Sequence, residues 1–136
     1  MASQGLTSLA NQWTFAEESA AKHGNSVSRN KWRVLMSWHI AETRDQARAE
    51  AKDGLFRHVN EYTTGTLNPV DGKTFKTPDE AVDASAFSDN STAVIGTPND
   101  LINKIHEMVE VTGGFGAVIG FAHDWANREN TKTAGI

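Results

Sequence analysis

The stretch Ala93-Val-Ile-Gly-Thr-Pro-Asn-Asp100 decides the fold class, together with the residues after it: an amphipathic run to Val111, then Gly113-Gly-Phe-Gly116, then Ala117-Val-Ile-Gly-Phe-Ala-His-Asp-Trp125. Thr97 is placed to cap a helix, Pro98 fits its first position, and Asp100 suits the positive end of its dipole. Leu101, Ile102, Ile105, Met108 and Val109 make an apolar stripe. Gly113 or Gly114 can end the helix in the left-handed conformation. A strand is predicted next, over residues 116–121. This is one helix–strand unit of an α/β fold, and the strand runs out into polar and aromatic side chains.

Upstream, residues 32–40 are rich in Trp, Val, Leu, Met and Ile. They predict one strand, with Val34, Met36, Trp38 and Ile40 on one face and Leu35, Ser37 and His39 on the other. Both faces are largely apolar, as in a parallel sheet covered on both sides. Before it, Leu9, Trp13, Ala16 and Ala20 predict a helix over residues 8–22, stopped by His23-Gly24. After it, Thr43 and Gln46 form a capping-box pattern. Ala47, Ala51, Leu55, Val59 and Tyr62 then predict a long amphipathic helix to about Tyr62. Gly54 within it costs about 1 kcal/mol relative to Ala. Residues 63–92 read as an irregular insertion punctuated by Gly65, Pro69, Gly72 and Pro78, with a short helix from Pro78 through Val82. Strands separated by helical crossovers imply a parallel α/β arrangement.

The chain has 136 residues, enough for one domain. It contains no cysteine, which excludes disulfides and thiolate chemistry. The formal net charge is −4, and the basic residues are scattered instead of forming a stripe, so no nucleic-acid partner is expected. No apolar run approaches the ~20 residues of a membrane span. Residues 1–7 carry no basic or apolar leader pattern. A cytoplasmic location and no membrane partner are the expectations.

Four stretches resemble a known family, the luciferase-like flavin-dependent monooxygenases, and within it the limonene monooxygenase-like group. They are Gln12-Trp13 with Glu17-Glu18 and Ala20 to Gly24; Arg29 and Lys31-Trp-Arg33 with Ile40 to Arg44; Ala93 to Asp100; and Gly113-Gly-Phe-Gly116 with Ala122-His-Asp-Trp-Ala126. The resemblance implies the C-terminal part of a (β/α)8 TIM barrel, spanning residues 1–136, with the insertion at about 63–92. It implies reduced FMN supplied by a separate reductase, O2, and a small apolar organic substrate that receives one oxygen atom. Related barrels use a deazaflavin instead. A full barrel needs roughly 250 residues. The resemblance therefore implies a fragment, with no usual final helix after Asn130 and little turnover of its own. A partial barrel also exposes strand edges that seek partners, which allows a homo-oligomer or a non-catalytic interaction module.

In such a barrel the active face lies at the carboxyl ends of the strands. The resemblance thus points to Trp38, His39 and Asp124 as cofactor-binding and to His123 as catalytic, donating a hydrogen bond or shuttling a proton. Plainer roles compete. Trp38 shares a face with Val34 and Met36 and can be core. His123-Asp124 can be a local pair that ends the strand. Trp125 reads as packing. Gly113-Gly-Phe-Gly116 precedes a strand, so a helix C-cap accounts for it better than a phosphate cradle. His23, His58 and His106 fall on helices as solvated or flanking residues. No metal-ligand spacing and no Gly-x-Ser-x-Gly elbow occurs.

Overall fold

The computed structural model describes residues 5–68 and 72–135. Pro69 lies outside them. The order of elements is α1 (Leu6–Lys22), β1 (Arg33–Met36), β2 (Trp38–Ile40), α2 (Arg44–Arg57), a π-helical segment (His58–Leu67), α3 (Pro78–Ala86), β3 (Val94–Gly96), α4 (Pro98–Thr112), β4 (Ala117–Gly120) and α5 (Arg128–Gly135).

The predicted strand over residues 32–40 is present but divided at Ser37. β1 pairs in parallel with β4, Val34 opposite Val118. β2 pairs in parallel with β3, His39 opposite Ile95. The two partners sit on opposite edges. Met36 O accepts from Phe121 N, whereas Ser37 O accepts from Val94 N, and successive strand carbonyls point to opposite sides. The first strand segment therefore lies in the middle, with β3 on one edge and β4 on the other. In a closed (β/α)8 ring, successive strands are neighbours. Among the described residues the sheets are small and open, and the architecture shown is parallel α/β.

Both faces are covered, as the two-sided apolar pattern requires. Val34, Met36, Ile40 and Val94 pack with Leu6 and Leu9 of α1 and Met108 of α4. Ile95 packs on the other side with Ala47, Ala51 and Leu55 of α2, Val82 of α3, and Trp125. Burying a Leu- or Met-sized side chain contributes about 1.5–3 kcal/mol. These two clusters therefore hold the sheet between α1/α4 and α2/α3.

Local signals account for the helix ends. Thr97 Oγ1 accepts from Asp100 N at 3.3 Å and Asp100 accepts from Thr97 N at 2.9 Å, a complete capping box on α4. Gly113 ends α4 at φ 75°, a left-handed position that disfavours side chains. Thr43 Oγ1 accepts from Gln46 N at 3.2 Å. The Gln46 side chain turns to Glu50 instead of closing the box. The long helix does not run to Tyr62 in α form. It stops at Arg57 and widens into the π-helical segment, leaving Tyr62 half exposed. The segment after Asn130, where the resemblance lacks the usual final helix, lies in the short α5, and Ala134 buries itself against β2.

Three of the signatures behind the resemblance meet at one place. The Arg29 guanidinium lies 4.7 Å from the centre of the Trp13 ring. It donates to the carbonyls of Thr112 and Gly114 at the end of α4, where the helix dipole is negative. Trp13 packs on Trp32 and Trp32 on Phe115, with ring centres 5.2 and 6.4 Å apart. The Gln-Trp, Arg and Gly-Gly-Phe-Gly signatures thus build a structural knot joining α1 to α4.

Candidate functional site

β4 ends at Gly120, and the chain continues as Phe121-Ala-His-Asp-Trp125 across the break between β1 and β2. This brings His123 onto Ser37. His123 Nε2 and Ser37 Oγ are 2.9 Å apart, and Ser37 is buried. Which atom donates depends on the imidazole tautomer. The His123 ring lies parallel to Trp125, with centres 4.6 Å apart and 2° between planes. Phe121 and His58 each approach it edge-on, at 4.6 Å. Three rings and one hydroxyl therefore fix its orientation.

This enclosure decides its charge. Burial first, and then the nearby His58, push the His123 pKa down to about 4, while Asp124 pulls the other way without prevailing. His58 is also lowered, by burial, against the attraction of Asp124. At neutral pH both rings are uncharged and can each donate one hydrogen bond and accept one.

A cleft of about 290 Å³ opens beside His123, lined by Trp38, His39, Gly120, Phe121, Thr131 and Ala134, among others. Trp38 stands against Gly120: a Cβ there would come within 2.8 Å of the indole. The Trp38 Nε1 donates to Ala134 O at 3.2 Å, which lays α5 along one side of the cleft. His39 reaches the cleft wall but is buried, and its Nε2 lies 2.8 Å from Glu50 Oε2 on α2. Burial of Glu50 works against its charge, but hydrogen bonds from Gln46 and His39 outweigh that and hold its pKa below the ordinary value. Asp124 is exposed and acts on the two histidines through its charge.

Trp38, His39 and His123 are therefore brought to one cleft, whereas Asp124 is exposed and does not line it. Ser37, His58 and Trp125 belong to the same cluster, and sequence reasoning does not mark them as site residues. His58 reads as a solvated helix residue, but it caps α2 in the α conformation on the buried face of Ala47, Ala51 and Leu55. Ser37 carries a usable signal, a small hydroxyl between apolar strand residues. A second cavity of about 290 Å³ lies between α3 and α4. The charges at its rim are already paired, Arg44 with Asp100 and Lys104 with Glu107. Among the described residues no group of three His, Cys, Asp or Glu side chains can hold a metal ion. No helix among them is long and apolar enough to cross a membrane.

No family profile matches the chain. Individual proteins do. It is 39% identical over 127 residues to 4-hydroxyprotoasukamycin monooxygenase of Streptomyces nodosus subsp. asukaensis, covering 91% of this chain and 33% of that protein. It is 34% identical over 123 residues to limonene 1,2-monooxygenase of Rhodococcus erythropolis, covering 90% of this chain and 30% of that one. Over this span the chain matches a segment of the luciferase-like monooxygenases. It spans about a third of the length of these relatives. The fold agrees with that of the oxygenating constituent of 3,6-diketocamphane monooxygenase from Pseudomonas putida, a type II Baeyer–Villiger monooxygenase in complex with FMN. The TM-score is 0.67 at 21% identity, covering 94% of this chain and 36% of that one.

Proposed function

We propose that residues 1–136 form the closing portion of a luciferase-like (β/α)8 barrel, with residues 63–92 as its inserted excursion. The whole protein, on this reading, is an FMN-dependent monooxygenase that places one oxygen atom from O2 on a small apolar organic molecule. The observation that carries this is the cleft at the carboxyl end of β4, in a chain alignable over nine-tenths of its length with named monooxygenases.

The cleft suits part of a flavin. Trp38 and Phe121 offer aromatic surface for a planar ring, and His123 offers a neutral donor and acceptor. Its volume, about 290 Å³, lies at the lower end for ligand pockets. This segment would thus supply one wall, against the ring. The glycines at 113–116 do not cradle a phosphate, because the amides of Gly114 and Gly116 already donate to Thr112 Oγ1 and Trp32 O. Bound reduced flavin supplies the oxygen chemistry, delivered as a reduced cofactor by a separate reductase. The protein side chains orient the ring and keep water out. His123 holds or passes a proton at Nδ1, the nitrogen not bonded to Ser37. His39, anchored to Glu50, stiffens the wall. A deazaflavin would meet the same wall.

The test is a flavin titration. FMN fluorescence should be quenched saturably by the purified chain, and Trp38→Leu and His123→Ala should weaken the effect. No saturation at millimolar FMN would count against the reading. The chain alone, given reduced FMN and a terpene, should show no steady oxygenation.

A second reading rests on the open outer edge of β4, where Ile119 and Phe121 are half exposed. Unpaired edges with apolar side chains favour association. A homo-oligomer would appear on gel filtration as a larger, concentration-dependent species, which Ile119→Lys should dissolve.

A further inference from the structure

The five histidines of the chain are spread from residue 23 to residue 123, yet two of them come together. His58 leaves the end of α2 on the π-helical segment, and His123 follows β4. Their ring centres are 4.6 Å apart, 63° between planes. Nothing mobile separates them. Trp125, buried, stacks flat on His123 and lies edge-on to His58 with ring centres 6.5 Å apart. Tyr62 closes the outer side of His58 at 5.4 Å. Ser37 holds His123 from below at 2.9 Å. Neither ring can turn away from the other without breaking these contacts. π-Helical turns of this kind occur often at functional sites.

Two imidazolium charges at that distance, in a half-buried cluster, repel strongly. The charged and titratable groups facing the pair are few. Asp124 comes from the loop that carries His123, Tyr62 from the π-helical segment, and His39 from β2 across the cleft. Among the described residues, only Asp124 brings a charge that favours protonation of the pair.

We propose that His58 and His123 form a single proton-binding unit, in which His58 is a positioning residue that decides when His123 is charged. Where two independent histidines would take up two protons together, this pair takes up one first and resists the second. The consequence for the cleft is that His123 stays a neutral donor and acceptor as pH falls through the range where ordinary histidines charge. That consequence rests on the flavin-wall reading above, but the pairing itself does not.

The experiment is an NMR titration of the imidazole nitrogens in the full chain without flavin, with His58→Phe and Asp124→Asn beside the unsubstituted protein. Phenylalanine keeps a ring edge against His123 and removes the ionisable nitrogens. In the unsubstituted protein, the His58 and His123 signals should each show two steps, because each reports the other's proton. In His58→Phe, His123 should titrate in one step, with its proton affinity raised roughly fivefold or more, the like-charge effect at this distance even in full solvent. Asp124→Asn should shift it the other way. A His123 curve that superimposes with and without His58 would overturn the proposal. Should His58→Phe fail to fold, single-step independent curves in the unsubstituted protein would overturn it equally. Failure to bind FMN with the coupling intact would instead reject the flavin wall alone.

Discussion

Replacing Gly54 by alanine separates a local effect from a tertiary one of opposite sign. Gly54 sits inside α2, where helix propensity alone makes Gly→Ala stabilising by about 1 kcal/mol. Here the new methyl would point at the backbone of Trp125, within 2.6 Å of both its Cα and its carbonyl carbon. Real Cβ contacts essentially never come closer than 3.0 Å, and the obstacle is main chain, not the end of a flexible side chain. α2 or the Trp125 loop must shift by several tenths of an ångström. Overpacking of this kind costs about 1–3 kcal/mol, more when backbone has to move. Set against the propensity gain, the net expectation is a loss of up to about 2 kcal/mol. That corresponds to a fall of up to roughly 7 °C in melting temperature for a chain of this size. Because Trp125 carries the stacked His123, the loss should come with a changed His123 NMR signal. Urea unfolding followed by tryptophan emission measures the first, and imidazole NMR the second. A Gly54→Ala protein at least as stable as the parent, with an unmoved His123 signal, would refute the reasoning.

Three further outcomes are expected. Arg29→Ala should destabilise the chain by about 2 kcal/mol, since it removes charged hydrogen bonds to Thr112 and Gly114 and a cation–π contact with Trp13; Arg29→Lys should recover less than half in urea unfolding, because the planar fork is lost. Folded His123 has a pKa of about 4, below its ordinary value near 6.5, so its share of stability is fully present above pH 6.5 and is lost as pH falls toward 4; His123→Phe should flatten the stability–pH curve over that window. The hydrogen bond from Arg44, followed by bonds from Thr97, holds the Asp100 pKa well below the carboxylate range despite burial, so Asp100 stabilises the fold above about pH 4 and less as acid protonates it. Asp100→Asn should remove that part of the acid slope and, by weakening the α4 capping box, lower the midpoint in urea at pH 7.

What was legible in the sequence was local. Thr97-Pro98 with Asp100 marked the start of α4, and Gly113 marked its end, because capping is settled by a few adjacent dihedrals and hydrogen bonds. The alternation of Val34, Met36 and Ile40 gave a correct core face, because strand side chains alternate whatever the partner. The family signatures also stood in the sequence as words, but their physical role did not. Only the folded chain shows Arg29, Trp13 and Gly114 as one knot, with Arg29 and Gly114 85 residues apart.

Partnership was not legible. Nothing local says that the strand divides at Ser37, or that its two halves pair with different neighbours, since edge choice is a competition between distant segments. That His58, at the end of α2, meets His123 and Trp125 depends on where the distant loop after β4 packs. The sequence by itself determined the elements, their caps and their apolar faces, because those arise from contacts within one turn or one strand. The tertiary structure decided which histidines meet, which hydroxyl holds them and how far water is excluded. Those depend on desolvation and distance between residues far apart along the chain.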